Sequence, residues 1–188
     1  MGCLRNPIED LFMAWQNRLT PELARFIVEQ DHFYLGTANA AGRPYIQHRG
    51  GPKGFLKILD ENRLGFADFA GNQQFVTLGH LAENPQAFLF LIDYPARRRV
   101  KIRGQAKAVA DDPALTRSLA DPAYRGRVER AILIDIDEWD ANCPSHILPR
   151  WDATALTPAF ERLETRIRAL ETQVRELGGD PGAFDMSA

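Results

Sequence analysis

The sequence predicts a mainly β fold, an antiparallel barrel decorated by helices, on three observations. Six or seven strand-like segments lie between His32 and Ile136, several with apolar residues at a period of two. The connections between those segments are of hairpin scale, with only one helix among them. The regular strand and helix alternation of a doubly wound sheet is missing, as are the GxGxxG and GxxxxGK[ST] glycine patterns.

Composition bounds the rest. The chain has 188 residues, 45% hydrophobic and 26% charged, which suits one soluble globular domain with a peripheral arm and excludes a disordered or collagen-like chain. Its 23 Lys and Arg against 25 Asp and Glu give a net charge of −2, so no global field attracts a polyanion and no nucleic acid partner is expected. Cysteine occurs only at Cys3 and Cys143, too sparsely for a disulfide framework, so a reducing cytoplasm is the expected compartment. Arg5, Glu9 and Asp10 break any secretory signal, and no stretch approaches the roughly 18 apolar residues of a membrane span. Asn6 stands where a myristoylation signal needs Ser or Thr.

Two short helices are predicted first, over residues 1–30, packing on the barrel. Ile8, Leu11, Phe12 and Trp15 fall at helical spacing, and Thr20 with Pro21 marks a second start running through Glu29. Phe33, Leu35 and Thr37 then alternate up to the turn formers 39–42, and Pro44 to Arg49 returns as the second strand. Gly50, Gly51 and Pro52 interrupt it, Phe55 to Leu59 resumes β character, and Arg63 to Asp68 follows. Asn72 is a candidate cap for a helix with apolar Phe75, Leu78 and Leu81, which stops at Asn84 and Pro85.

Gln86 to Asp93 is apolar on both faces and reads as a central strand, whereas Arg99, Lys101 and Arg103 make one face of the next strand cationic. Asp112 and Pro113 open a short helix, and Ala131 to Ile136 supplies the last strand. In the tail, residues 157–178, Phe160, Leu163, Ile167, Leu170, Val174 and Leu177 follow alternating steps of three and four, with Pro158 predicted to start the helix and Gly178 and Gly179 to end it. Such a seam pairs with a second copy or packs on the chain's own barrel; self-association is the favoured reading.

Four segments carry candidate chemistry. His48, Arg49, Gly50, Gly51 and Lys53 put cations beside glycines where a strand breaks, an arrangement suited to an anion such as phosphate. Asp68 to Gln74 adds to this, because Gly71 and Asn72 place a predicted helix N-terminus directly after a strand. Arg99 belongs to the cationic face. Trp139, with Asn142, Ser145 and His146, reads as a Pro-bent loop able to stack on and hydrogen-bond a planar heterocycle. Cys143 and His146 have C-x2-H spacing, but no second pair exists, so no metal site is expected.

In order, Phe33-Tyr34-Leu35-Gly36-Thr37-Ala38, His48-Arg49-Gly50-Gly51, Leu64-Gly65-Phe66-Ala67-Asp68 with Gly71-Asn72, Leu81-Ala82-Glu83-Asn84-Pro85 and Arg98-Arg99-Val100-Lys101-Ile102-Arg103-Gly104 resemble the pyridoxamine 5′-phosphate oxidase-like, FMN-binding split-barrel family. The resemblance covers residues 31–150, and Asn142 to His146 is like the tail of an uncharacterised bacterial branch. It implies a six-stranded antiparallel split β-barrel, to which the residue pattern independently adds flanking helices and a C-terminal coiled-coil-like helix. It also implies a homodimer with FMN at the subunit interface.

By position, Arg49 would contact the FMN phosphate, with His48 to Gly51 along the isoalloxazine edge and Phe66 to Asp68 beside the flavin. Two departures stand out: Asn72 and Gln73 replace a basic residue usual in the enzymes, and Arg99 replaces a glutamine. The function so implied is flavin-dependent oxidation or reduction of a small-molecule substrate, with His146 the first catalytic candidate. A deazaflavin in place of FMN, a non-catalytic flavin or haem binding or storage protein, and a coiled-coil interaction protein with a vestigial barrel are the competing readings.

Overall fold

A computed structural model describes residues 15–71, 75–142 and 145–182, and divides the chain into two compact units, 1–147 and 148–188. The first predicted helix, around Ile8, Leu11 and Phe12, lies outside the described residues. Helix α1 (Pro21–Val28) starts as expected: Thr20 caps it by accepting from the Leu23 amide, and Leu23, Phe26 and Ile27 are buried. That apolar stripe is what a helix laid on a barrel must bury.

Strands β1 (His32–Ala38), β2 (Pro44–Gly50), β3 (Lys57–Asp60), β4 (Arg63–Phe69), β5 (Gln86–Asp93), β6 (Arg98–Val109) and β7 (Val128–Asn142) form one antiparallel sheet in the order β2-β1-β5-β6-β7-β4-β3. The fold class is therefore as predicted, with seven strands rather than six, because residues 57–60 pair with β4 as a strand of their own. The β1–β2 hairpin closes where Asn39 Oδ1 accepts from the Arg43 amide and Gly42 adopts φ 78°, a left-handed conformation that favours glycine. Inward side chains of Phe33, Leu35, Leu64, Phe66, Leu89, Leu91, Val100, Ile102, Ile132 and Ile134 make the core, each at the period of two that the sequence displays.

Several expectations are corrected. Helix α2 (Val76–Glu83) buries Thr77, while Phe75 is exposed at its N-cap and Leu81 packs only at the core's margin; Asn72, its expected cap, lies outside the described residues. Strand β7 continues to Asn142 instead of ending at Ile136. Its polar residues belong to an outer face, where Glu138 lies opposite Arg103 and Asp140 opposite Lys101, and Arg103 Nη1 donates to Glu138 Oε1 at 2.6 Å. Helix α3 (Pro113–Leu119), capped by Asp112, packs Leu119 and Leu115 against Ala131 and Leu133.

The second unit contains helix α4 (Ala153–Glu176), 24 residues long with none buried. It begins before Pro158, because the Asp152 carboxylate caps it by accepting from the Thr154 amide at 2.8 Å, and Pro158 is taken up inside the helix. It ends as predicted: Gly178 has φ 81° and the Gly179 amide donates to the Val174 carbonyl. Among the described residues no helix is long and apolar enough to cross a membrane.

Candidate functional site

The sheet runs from β2 at one edge to β3 at the other, and side chains bridge its two ends. Phe33 stacks on Phe55 at 5.6 Å between ring centroids and meets Phe66 edge-on at 5.3 Å. Beyond Phe66 the bridge turns ionic: Arg49 Nη1, from β2, donates to Asp68 Oδ1, on β4, at 2.6 Å. Directly opposite Asp68 in the β4–β7 ladder is Arg130, whose Nε lies 3.8 Å from Asp68 Oδ2 and whose Nη2 donates to Glu129 Oε2 at 2.8 Å.

The sequence places these charges inward by simple alternation. Asp68 continues the core parity of Leu64 and Phe66, Arg130 that of Ile132 and Ile134, and Arg49 lies opposite core Phe33. Three strands thus end in polar groups at one mouth of the barrel. Asp68 is only 7% exposed, and that burial pushes its carboxyl above the usual carboxylate range, against the opposing pull of Arg49 and Arg130. The Nε atoms of both Arg49 and Arg130 are buried without a hydrogen-bond acceptor, donors that a buried site ordinarily satisfies.

A cavity of about 190 Å³ opens beside this cluster, lined by Gln47, His48, Arg49, Gly50, Phe55, Phe66, Ala67, Asp68, Phe69 and Gly71. Helix α2 is fixed next to it by Thr77, whose buried hydroxyl donates to Gln47 Oε1 at 2.7 Å. The Arg49 guanidinium lies 5.8 Å from the Phe66 ring centroid and that of Arg130 lies 5.6 Å from Phe75. An aromatic wall ending in two arginines suits a planar ligand that carries an anionic group. Among the described residues, no group of three or more His, Cys, Asp or Glu side chains could hold a metal ion.

Residues 19–143 match the family profile described as pyridoxamine 5′-phosphate oxidase. The chain belongs to the pyridoxamine 5′-phosphate oxidase family. HupZ from Group A Streptococcus is similar in structure, with TM-score 0.54 and 15% identity over 65% of this chain and 93% of that one. A Clostridium acetobutylicum protein of the pyridoxinephosphate oxidase family, related to general stress protein 26, gives TM-score 0.50 and 12% identity over 64% of this chain and 85% of its own. At such identities the likeness speaks for the fold. None of the curated proteins matches this chain.

Of the residues predicted for a pyridoxamine 5′-phosphate oxidase-type site, His48, Arg49, Gly50, Phe66, Ala67 and Asp68 line the same cavity. Gly51 does not line it: its amide donates to the Asp31 carbonyl at 2.9 Å, and a Cβ there would meet Phe55 at 2.8 Å, so its smallness serves packing. Lys53 sits at the surface, 3.3 Å from Glu29. Arg99, with its Nε buried and lacking an acceptor, lies opposite Asn142 in the β6–β7 ladder. Ser145 and His146 are exposed, His146 with φ 64°, while Asn72 and Gln73 lie outside the described residues.

Trp139 is a correction. It is buried in the core, with Nε1 donating to the Arg18 carbonyl at 2.8 Å, and its position in β7 turns it away from any stacking role. Arg130 is the residue that sequence reasoning passed over. The signal was present: stepping back by two from Ile136, Ile134 and Ile132 reaches a charged residue at an inward position.

For FMN, the orphaned Nε donors of Arg49 and Arg130 supply what a phosphate monoester needs, and Phe66 with the His48–Gly50 backbone offers a wall for a ring. The residues present fit the group. Arg130, opposite Asp68 in the β4–β7 ladder, adds a second cation beside Arg49.

Proposed function

We propose that this protein binds FMN at the barrel mouth and is a flavin-dependent oxidoreductase acting on a small-molecule substrate. The observation that carries the reading is the pair of arginines, Arg49 and Arg130, flanking one buried carboxylate with an unmet donor each. In this reading both guanidiniums hold the phosphate, while Phe66 and the backbone of His48 to Gly50 orient the ring. Asp68 lies between the two cations and competes with the phosphate for them. When bound, the flavin supplies the two-electron chemistry, and the protein supplies position and charge.

The site is completed by a second copy in this reading. A cavity of about 190 Å³ is smaller than the roughly 300 Å³ at which pockets begin to enclose a ligand of this size. On the outer face of the sheet, Ile46 is 68% exposed and Tyr34, Phe88 and Phe90 are half-buried on neighbouring strands, an apolar surface that a partner would cover. Arg99 shares that face by register, so it would approach the flavin from the other copy.

The visible spectrum of the purified protein, with the released chromophore weighed by mass spectrometry, tests the cofactor. A yellow dimer yielding FMN is expected; a deazaflavin or haem would replace it, and a colourless protein that takes up none of them would end the reading. NAD(P)H oxidation by the loaded protein then separates catalysis from storage, because a binder shows no saturable turnover.

A further inference from the structure

Helix α4 carries a seam that nothing within its own unit covers. Phe160, Leu163, Ile167, Leu170, Val174 and Leu177 are all exposed, and Leu156, also exposed, extends the same spacing one step toward the N-terminus. An isolated helix of this kind gains little stability from its own hydrogen bonds, so an unpaired apolar stripe along its length is a cost. We infer that α4 pairs with α4 of a second copy as a parallel, two-stranded coiled coil.

Side-chain identity fixes both the number of strands and their direction. With Phe160, Ile167 and Val174 at a, the d positions are Leu163, Leu170 and Leu177; β-branched Ile167 and Val174 at a with Leu at d favour two strands in a parallel coil. The flanks agree. Position g holds Arg166 and position e holds Glu164 and Glu171; in a parallel pair g of one helix faces e of the next heptad on the other, so Arg166 meets Glu171 twice by symmetry. An antiparallel pair sets e against e, bringing glutamates together. Within one helix Glu164 and Glu171 already point along the e and b edge, 3.7 Å from Arg168 and 3.6 Å from Arg175.

The inference rests on the two-copy part of the proposed function and not on its cofactor. The test uses the full chain with Cys3→Ser and Cys143→Ser, into which Leu177→Cys is introduced and oxidised with glutathione disulfide. A parallel coil brings the two added thiols together, so a covalent dimer is expected in high yield; Thr172→Cys, on the opposite face, should link poorly. Glu171→Arg should reduce the Leu177→Cys yield severalfold, and Arg166→Glu combined with Glu171→Arg should restore it. Sedimentation that finds a dimer with no Leu177→Cys link overturns the coil alone, whereas a monomer overturns the two-copy reading as well. A yield left unchanged or raised by Glu171→Arg would mean that Arg166 and Glu171 do not meet across the pair, and would also overturn the inference.

Discussion

Arg49 and Asp68 come from opposite ends of the sheet, yet Nη1 and Oδ1 lie 2.6 Å apart, so one ion pair ties the barrel shut where no backbone ladder does. The same pair marks the cavity. In the proposed function, closure of the fold and reception of an anion would draw on one guanidinium, whose Nη1 donates to Asp68 and whose Nε lacks an acceptor.

Arg49→Ala should weaken FMN retention. Losing charge-assisted hydrogen bonds of about 1.5 to 3 kcal/mol corresponds to roughly ten- to hundredfold in dissociation constant. Titration of apoprotein with FMN, followed by flavin fluorescence, measures it; unchanged affinity removes Arg49 from the phosphate role.

Arg130→Gln separates phosphate from ring. The variant should lose about tenfold or more in FMN affinity while its affinity for riboflavin, which lacks the phosphate, stays near that of the parent. Parallel losses for both ligands would assign Arg130 to the architecture of the mouth instead.

The barrel was legible in the sequence because alternation survives in β1, β6 and β7, from Phe33 and Leu35 to Ile132 and Ile134, and β5 is a short apolar run bounded by turn signals. Where alternation carried charge, it was harder to read. Glu138 and Asp140 made the end of β7 look like a loop, although they face Arg103 and Lys101 across the sheet, and Trp139 between them is core. The tail helix looked as if it began at Pro158, since proline favours a first turn, but the Asp152 cap is stronger and lies earlier. Arg49 and Asp68 were legible as candidates by local pattern. Their contact was not, nor was Arg130, because each depends on which strands become neighbours when the sheet curls.

Gly104→Ala tests that curl. Gly104 sits at the β6–β7 irregularity, where an added Cβ would fall 2.2 Å from the Asp135 carbonyl oxygen, a backbone atom that cannot move without disturbing the ladder. The expected loss is about 2 to 3 kcal/mol, or a melting temperature lower by roughly 5 to 10 °C for a chain of this size. A change under 1 °C in calorimetry would contradict the close approach.

Asp68→Asn gives the opposite of what a salt bridge suggests. Burial raises the Asp68 carboxyl above its unfolded value near 3.8, so between those two values the folded state holds more protons than the unfolded one. Stability contributed by this group is then present below the unfolded value and lost as pH rises through the folded one. A neutral isostere avoids that loss, so Asn at this position should leave the melting temperature at pH 7 equal to or above that of the parent, with the difference vanishing near pH 3.5. It also withdraws the negative charge that competes for Arg49 and Arg130, so FMN should bind severalfold more tightly. A variant that melts well below the parent at pH 7 and binds FMN less tightly would show that the carboxylate's charge, and not only its shape, holds the two arginines in place.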